Sequence, residues 1–576
     1  MRRRMGAVCA GILAAISVGG GCNGDDVTAS ASASSTTGDE GTSTTSGTTT
    51  STGTTTSTST STATTSTSTG TTTSTGPGTE SDPSTSATTA VSVGETETAG
   101  TTLDTTSTTD DTTTTGGDTT TTTTGDTDTD TDTTTTTGDT DTDTDTGDPP
   151  DLEPFDVIDL EAGHGHACAV LYSGRVKCWG GYTSSGDLGL GNTDPYGTTP
   201  GTMGNNLPFV DLGAGVLASA ISSYYHGCAV IDGDALKCWG QGTFGALGSG
   251  SSESLGDGPG EMGDALLPIN LGDGRSAVQI VTAVWTTCAV LDDASAKCWG
   301  WNSNGWLGQG DKNDRGDQPG EMGDALAPIN FGASAKVTTI AADNSHACAL
   351  LKDATVKCWG QQAEGNLGNG LSGFGAIGDQ PGEMGDALPT VDFGAGLTVK
   401  ALSVGARHAC VILNNDKIKC WGSNTYGQLG LGDAQHRGDN PGEMGDALPY
   451  VDLGADRTAV QLAASYFHTC AILDDQSLKC WGSNGAGALG QGDTQNRGDG
   501  PGEMGDALPP IDLGVGRHAI HVAPGANYVC AVLDNHRVKC WGVGGSQGAL
   551  GYEDMENRGD QPGEMGDALP FVDLGA

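Results

Sequence analysis

Fourteen cysteines stand in seven pairs, each written Cys-x9-Cys and each closing in Lys-Cys-Trp-Gly. The pairs are Cys168 with Cys178, Cys228 with Cys238, Cys288 with Cys298, Cys348 with Cys358, Cys410 with Cys420, Cys470 with Cys480, and Cys530 with Cys540. Successive first cysteines are 60 residues apart, except for the step from Cys348 to Cys410, which is 62. A unit recurring at that period cannot bury its apolar face alone, so neighbouring copies must stack. An even set of thiols at fixed spacing is a disulfide framework in an oxidising compartment, and a metal or redox set elsewhere.

The N-terminus decides between those compartments. Arg2, Arg3 and Arg4 precede the apolar run from Gly6 to Val18, and small residues then lead into Cys22. This is the layout of a secretion signal over residues 1–21, too short for a spanning helix. Cys22, with small residues before it and a polar segment after it, resembles the lipidated cysteine of bacterial lipoproteins, although Gly19 replaces the usual bulky residue. A lipid anchor at Cys22 is therefore expected, on the outer membrane facing outward, with plain secretion as the alternative. The anchor would be the chain's only membrane contact.

From 22 to 150 the chain is mostly Thr, Ser, Gly and Asp with almost no large apolar residues. Such a segment cannot offset its chain entropy and is expected to be a disordered linker. A flexible coil of that length reaches about 60 Å root-mean-square, and charge repulsion lengthens it. Of 72 acidic and 25 basic residues in all, 51 and 22 lie beyond residue 150. No Lys/Arg cluster offsets that excess, so nucleic acid is not expected as a partner.

The folding part, 151–576, consists of short strand patterns between Gly-rich turns. In the fifth repeat Val411-Ile412-Leu413 and Ile418-Lys419-Cys420-Trp421 flank the polar turn Asn414 to Lys417, a hairpin with Cys410 and Cys420 expected to face each other at its outer ends. A disulfide closing so short a loop contributes about 2 to 3 kcal/mol. One thiol pair per repeat, far apart in sequence, offers no catalytic site. After each hairpin comes a glycine-rich stretch such as Gly422-Ser423-Asn424-Thr425-Tyr426-Gly427-Gln428-Leu429-Gly430.

The order Ala-x3-His-x-Cys-Ala-x-Leu, then Val/Ile-Lys-Cys-Trp-Gly, then Asn-x2-Gly-Gln-Leu-Gly resembles the repeat of the regulator of chromosome condensation family. The resemblance implies an all-β, seven-bladed β-propeller, to which the Cys pairs of this chain are expected to add one hairpin disulfide per blade. The paired cysteines and the longer repeat depart from the intracellular members, and the first departure agrees with export. The last residues, Pro570 to Ala576, repeat the lead-in Pro208 to Ala214, so the tail is expected to complete the blade begun near Val157 to Leu160. Such closure would remove open sheet edges.

Six repeats carry Gly-Asp-x-Pro-Gly-Glu-Met-Gly-Asp-Ala-Leu. Its carboxylates, Asp439, Glu443 and Asp446 in the fifth repeat, could ligate Ca²⁺, or the loop could cap itself. The first repeat keeps Met203 but has Thr198, Thr202 and Asn205 where the carboxylates would be. Arg-Gly-Asp occurs in four of these loops, at Arg315, Arg437, Arg497 and Arg558, but as part of the repeat. His166, His226, His346, His408 and His468, with Thr286 and Tyr528 at the same position, are spread around a ring and are expected to be structural rather than one metal site.

No nucleophile elbow, phosphate loop or zinc cluster appears. The expected function is a protein-binding scaffold, monomeric, with no catalytic residues, no cofactor beyond the Ca²⁺ option, and an unidentified protein partner. The family resemblance brings nucleotide exchange on a small GTPase, which export opposes, and β-lactamase inhibition, which no residue selects. The alternatives are an extracellular enzyme with a site at the channel, which a non-repeating polar cluster at the channel mouth would favour, or a Ca-dependent adhesion module. Trp285, Trp301 and Trp306 are the tryptophans outside the Trp-Gly positions, and Trp301 and Trp306 are the expected partner contacts.

Overall fold

The computed structural model describes residues 152–576 apart from Tyr182, Ser372 and Ser546. The signal, Cys22 and the linker expected over 1–150 lie outside the described residues.

Alternation of side chains across an extended backbone builds each repeat into a three-stranded antiparallel sheet. In the fifth, the inner strand Val399–Val404, the middle strand His408–Leu413 and the outer strand Ile418–Gly422 pair in chain order. The middle strand is buried along its whole length, as a strand packed on both faces must be. Seven such sheets occur among the described residues. Neighbouring inner strands touch in succession, and Ala519–Pro524 of the seventh touches Val157–Ala162 of the first. The sheets are thus the blades of a closed seven-bladed propeller, numbered here in chain order.

The hydrophobic cores lie between blades, and period-two alternation explains their composition. Ala409 pairs with Trp421 on one face of blade 5, and Cys410 pairs with Cys420 on the other. Trp421 packs against Cys348 and Cys358 of blade 4, while Cys410 and Cys420 pack against Trp481 of blade 6. Each core therefore joins one blade's disulfide to the next blade's tryptophan.

All seven expected disulfides form. Cys168 bonds Cys178, Cys228 bonds Cys238, Cys288 bonds Cys298, Cys348 bonds Cys358, Cys410 bonds Cys420, Cys470 bonds Cys480 and Cys530 bonds Cys540, with Cα–Cα distances of 4.0 to 4.1 Å. Their place in the hairpin differs from the expectation. In blade 5 the strands continue past the pair to His408 and Gly422, which puts the cysteines mid-strand at a narrow cross-strand pair rather than at the outer ends of the arms. The same correction holds for Cys178, Cys238, Cys298, Cys358, Cys480 and Cys540, each of which is followed in its strand by Trp and Gly that still pair with the middle strand.

Trp-Gly and Leu-Gly gain a physical reason at the same seam. Gly422 has φ +102, and a Cβ there would meet the Arg407 carbonyl. Gly430 has φ +66, and a Cβ there would lie 2.8 Å from the indole nitrogen of Trp481. That nitrogen donates to the Gln428 carbonyl at 3.1 Å, so each tryptophan is stitched to the preceding blade. The lysine of Lys-Cys-Trp-Gly is equally structural. Lys419 Nζ, nearly inaccessible, donates to the Phe393 and Gly445 carbonyls, both at 2.8 Å, tying the lead-in to the inserted loop. Burial lowers its pKa, with Asp446 and Asp392 opposing.

Ring closure reuses these devices and corrects the strand-exchange expectation. The tail 570–576 forms no strand, and blade 1 is already complete with its own three. Instead the tail takes the place of a lead-in: Lys177 Nζ donates to the Leu574 carbonyl at 2.6 Å, Gly204 N to the Asp573 carbonyl at 3.0 Å, and Trp179 Nε1 to the Ala549 carbonyl of blade 7 at 3.0 Å.

The 62-residue interval also has a place. In six blades the residue after Trp makes a single bridge to the returning chain, as Gly422 does to Arg437. In blade 4 two extra residues extend that bridge to a short fourth strand, Gly375–Ile377, paired with Gly360 to Gln362. Its tip exposes Leu371 and Phe374, the latter 91 % exposed. Asn369 bonds Gln362 there, whereas Gln309 and Gln491 at the equivalent position reach the Ala327 and Pro509 carbonyls. A cavity of about 350 Å³ beside Leu371, Ile377, Pro389 and Met444 is left open.

Candidate functional site on the loop face

Strand direction sorts the connections onto two faces. The inner-to-middle turns and the segments after the outer strands emerge together on one, the loop face; the middle-to-outer turns emerge on the other, the turn face.

The inserted acidic loop is a self-capped structure. Glu443 Oε2 accepts from Gly438 N and Asn440 N, both at 3.0 Å, and Asp439 hydrogen-bonds to Glu443. Asp446 Oδ1 diverges from them and accepts from Ala395 N of the preceding lead-in at 3.2 Å. Blade 1 supplies an internal control with neutral groups. Thr202 Oγ1 accepts from Gly197 N at 3.0 Å where Glu443 accepts from Gly438, and Asn205 Oδ1 accepts from Ala576 N at 3.2 Å where Asp446 accepts from Ala395. The loop thus needs acceptors at these positions, and in blade 1 the Glu553 carboxylate of blade 7 adds one of its own, accepting from Met203 N at 2.8 Å. Among the described residues no group of three or more His, Cys, Asp or Glu is placed to hold a metal ion. The Arg-Gly-Asp tripeptides are folded back: Arg437 bonds Asp433 at 2.7 Å and two backbone carbonyls.

His166, His226 and His408 are inter-blade struts, while His346 Nδ1 meets the Ser345 hydroxyl of its own blade at 3.3 Å. His408 Nε2 meets Thr469 Oγ1 at 2.9 Å, and that hydroxyl gives its own proton to the Gln428 carbonyl, so the imidazole must donate. His226 and Thr287 repeat the arrangement. Burial holds these rings neutral, with pKa values lowered to about 4 for His166 and His468 and about 3 for His226, His346 and His408.

What does not repeat is concentrated on the loop face. Ahead of the middle strands the seven blades carry Gly165, Tyr225, Trp285, Ser345, Arg407, Phe467 and Asn527, preceded by His164, Tyr224, Val284, Asn344, Ala406, Tyr466 and Ala526. Two aromatic groups result. The first runs across blades 2 and 3: Phe244 to Trp285, Trp285 to Trp301 and Trp301 to Trp306 have centroids 5.7, 5.4 and 5.1 Å apart, the latter two edge to face. Such pairs are worth about 0.5 to 1.5 kcal/mol each beyond burial. Trp306 is only 4 % exposed, and its carbonyl accepts from Trp359, so it is core rather than contact surface. Trp301, Trp285 and Phe244 are half-buried and offer their outer edges.

The second group closes the channel mouth. His164 of blade 1 lies 6.3 Å from Tyr466 of blade 6, although blade 7 stands between those blades, so the rings meet over the axis. Tyr224 and Tyr225 of blade 2 lie 6.1 and 4.8 Å from His164. Tyr466 continues outward to Phe467 and Tyr426. Asp343 of blade 4 is buried beside this group and within electrostatic reach of Tyr224. Burial pushes Asp343 up to about 7, and burial together with Asp159 pushes Glu161, on the channel wall, to about 8. Glu161 retains some exposed surface while protein surrounds it, as a residue facing a narrow channel does. The sequence singles out Trp301 as a contact residue without assigning its face, and the mouth group goes unread; its signal is departure from the repeat at His164, Tyr224, Asp343 and Tyr466.

Comparison with known proteins places the repeat. Models of the regulator of chromosome condensation (RCC1) repeat match residues 399–428, 459–488 and 418–472. The ultraviolet-B receptor UVR8 of Arabidopsis thaliana is 26% identical over 413 residues, 70% of this chain and 81% of that protein. The mitochondrial RCC1 domain-containing protein RUG3 of the same plant is 25% identical over 319 residues, 55% of this chain and 63% of that protein. The solved structure of yeast RCC1 (Prp20) with Kap60 aligns at a TM-score of 0.48 and 16% identity, over 71% of this chain and 84% of that one. With its seven successive repeats, these matches show a chain that carries regulator of chromosome condensation (RCC1) repeats.

Proposed function

We propose that this propeller is a non-catalytic binding module that engages a protein partner through the loop face, with Trp301, Trp285 and Phe244 as the anchor. The observation that carries the reading is the joining of large non-repeating aromatics into one continuous group on the loop face, beside which Tyr172 and Tyr450 are the exposed aromatics near the turn face. Half-buried tryptophans held edge to face are rigid, so they lose little entropy on binding, and such residues dominate interface energies. The strong net negative charge favours a partner with a basic rim and disfavours nucleic acid.

The same reading places the module outside the cell, on a bacterial envelope, tethered through a lipid on Cys22 and held off the membrane by the Thr/Ser/Asp linker. The leader pattern and the seven hairpin disulfides support it, since both suit an oxidising compartment. Metabolic labelling with a fatty acid tests the anchor: Cys22→Ser should lose the label, and retention of label would sink this part.

The partner surface is tested by affinity capture from envelope extracts with the full chain. The double variant Trp301→Ala with Phe244→Ala should lose the partner that Asp475→Asn, on the turn face, retains. An identical partner set for both variants would remove the loop-face reading.

A further inference from the structure

We propose that the channel mouth on the loop face is a binding site for an organic ammonium group, formed by the rings of His164, Tyr224, Tyr225 and Tyr466 with the Asp343 carboxylate. This does not rest on the aromatic anchor across blades 2 and 3, which is a separate group of side chains.

Four blades contribute to the mouth and none of the contributions repeats. Blades 3, 5 and 7 have Val284, Ala406 and Ala526 where blades 1, 2 and 6 have His164, Tyr224 and Tyr466. The ring therefore closes without aromatic residues at this position, and their presence in three blades is not demanded by the fold. Tyr224 is only 7 % exposed, and its hydroxyl has no hydrogen-bond partner among the described residues. A plug that served packing alone would leave phenylalanine there or bond the hydroxyl, because a buried polar group left unmade costs about 1 to 3 kcal/mol. Asp343 and Tyr466 are near enough to act on that hydroxyl electrostatically, so groups from blades 4 and 6 share its surroundings.

The carboxylates define the ligand's charge. Asp343, 6 % exposed, accepts one backbone hydrogen bond, from Asn344 N at 2.6 Å, and no Lys or Arg pairs with it or with Glu161 among the described residues. Burial favours the protonated form of both acids, and only a cation bound beside them would stabilise the carboxylate, which an anion or a neutral ligand would not. A cation supplies the missing counter-charge, and ring faces attract an alkylammonium through their quadrupoles. Chain-wide negative charge raises the local concentration of cations further.

Calorimetric titration of the full chain tests this with tetramethylammonium chloride and butylammonium chloride as probes, and sodium chloride and tert-butanol as ionic and neutral controls. At least one ammonium should bind saturably at millimolar concentration while neither control does. Tetramethylammonium alone would assign a free quaternary ligand, and butylammonium alone a lysine side chain of a partner. Asp343→Asn should weaken binding about tenfold and Tyr466→Leu severalfold, with Asp475→Asn, on the turn face, unchanged. Absence of saturable binding by both ammoniums up to about 50 mM, or equal binding by the wild type and both mouth variants, would overturn the site.

Discussion

The body of the ring and its loop face are drawn from the same seven repeats, yet the same chain positions do opposite things in them. In the body, Lys419, Trp421 and the Cys410–Cys420 disulfide have counterparts in every blade with the same kind of partner, and His408 has them in blades 1 and 2. On the loop face one position is glycine, tyrosine, tryptophan, serine, arginine, phenylalanine or asparagine in turn. The difference teaches where each constraint comes from. A body residue must satisfy two neighbouring blades at once, so its identity is set by packing seen seven times. A residue on the inner-to-middle turn has solvent or the channel on one side, which frees it for recognition.

Titration should separate the two regions with the largest effect. The body histidines have folded pKa values below their unfolded value near 6.5, so the unfolded chain binds more protons and stability is lost as pH falls from about 6.5 through about 4. Asp343 and Glu161 have folded values raised to about 7 and about 8, so they contribute stability that is fully present below their unfolded values of about 4 and is lost as pH rises from there through about 7 and about 8. Chemical denaturation should show a maximum near neutral pH and a loss of several kcal/mol by about pH 4, since five histidines outweigh two acids. Asp343→Asn with Glu161→Gln should flatten the alkaline limb and steepen the acid limb, where the histidines would then act unopposed. If the acid limb vanished with them, the division between body and mouth would be wrong.

Lys419→Met comes next. It leaves two buried carbonyls without their donor, and the cost should be about 3 kcal/mol by denaturant titration. Lys400→Met, exposed on the surface, should change stability by less than about 0.5 kcal/mol. Removing one staple with Cys410→Ala and Cys420→Ala together should cost about 2 to 3 kcal/mol, and reduction of the wild type should lower its melting temperature by more than that single loss.

Smallest are the acidic loops. Glu443→Gln and Asp446→Asn keep an acceptor, as Thr202 and Asn205 do in blade 1, and should each cost less than about 1 kcal/mol. If Ca²⁺ after chelation raised the melting temperature of the wild type but not of these variants, the carboxylates would have a role that blade 1 lacks, and the loops would leave the body for the functional surface.

Legibility in the sequence follows the same divide. Period, hairpin, disulfide partner and strand class were readable because one backbone pattern is written seven times. The mid-strand position of the cysteines was not, because Ala409 and His408 extend the strand without a hydrophobic alternation to announce it. Trp301 was readable as non-repeating and is half-exposed. Trp306 was equally non-repeating and is buried, since it fills the place beside Gly360 in the next blade. The tail was legible as a copied lead-in, but its partner atoms, Lys177 and Gly204, were not.

By itself the sequence determined the number of units, their covalent staples and the acidity of the chain, all properties local to one repeat or summed over residues. Only the tertiary structure decided that His164, Tyr224, Asp343 and Tyr466 meet at one place. They lie up to about 300 residues apart, and it is the curvature of a seven-bladed ring, set by side-chain packing between blades, that turns four separate turns toward one axis.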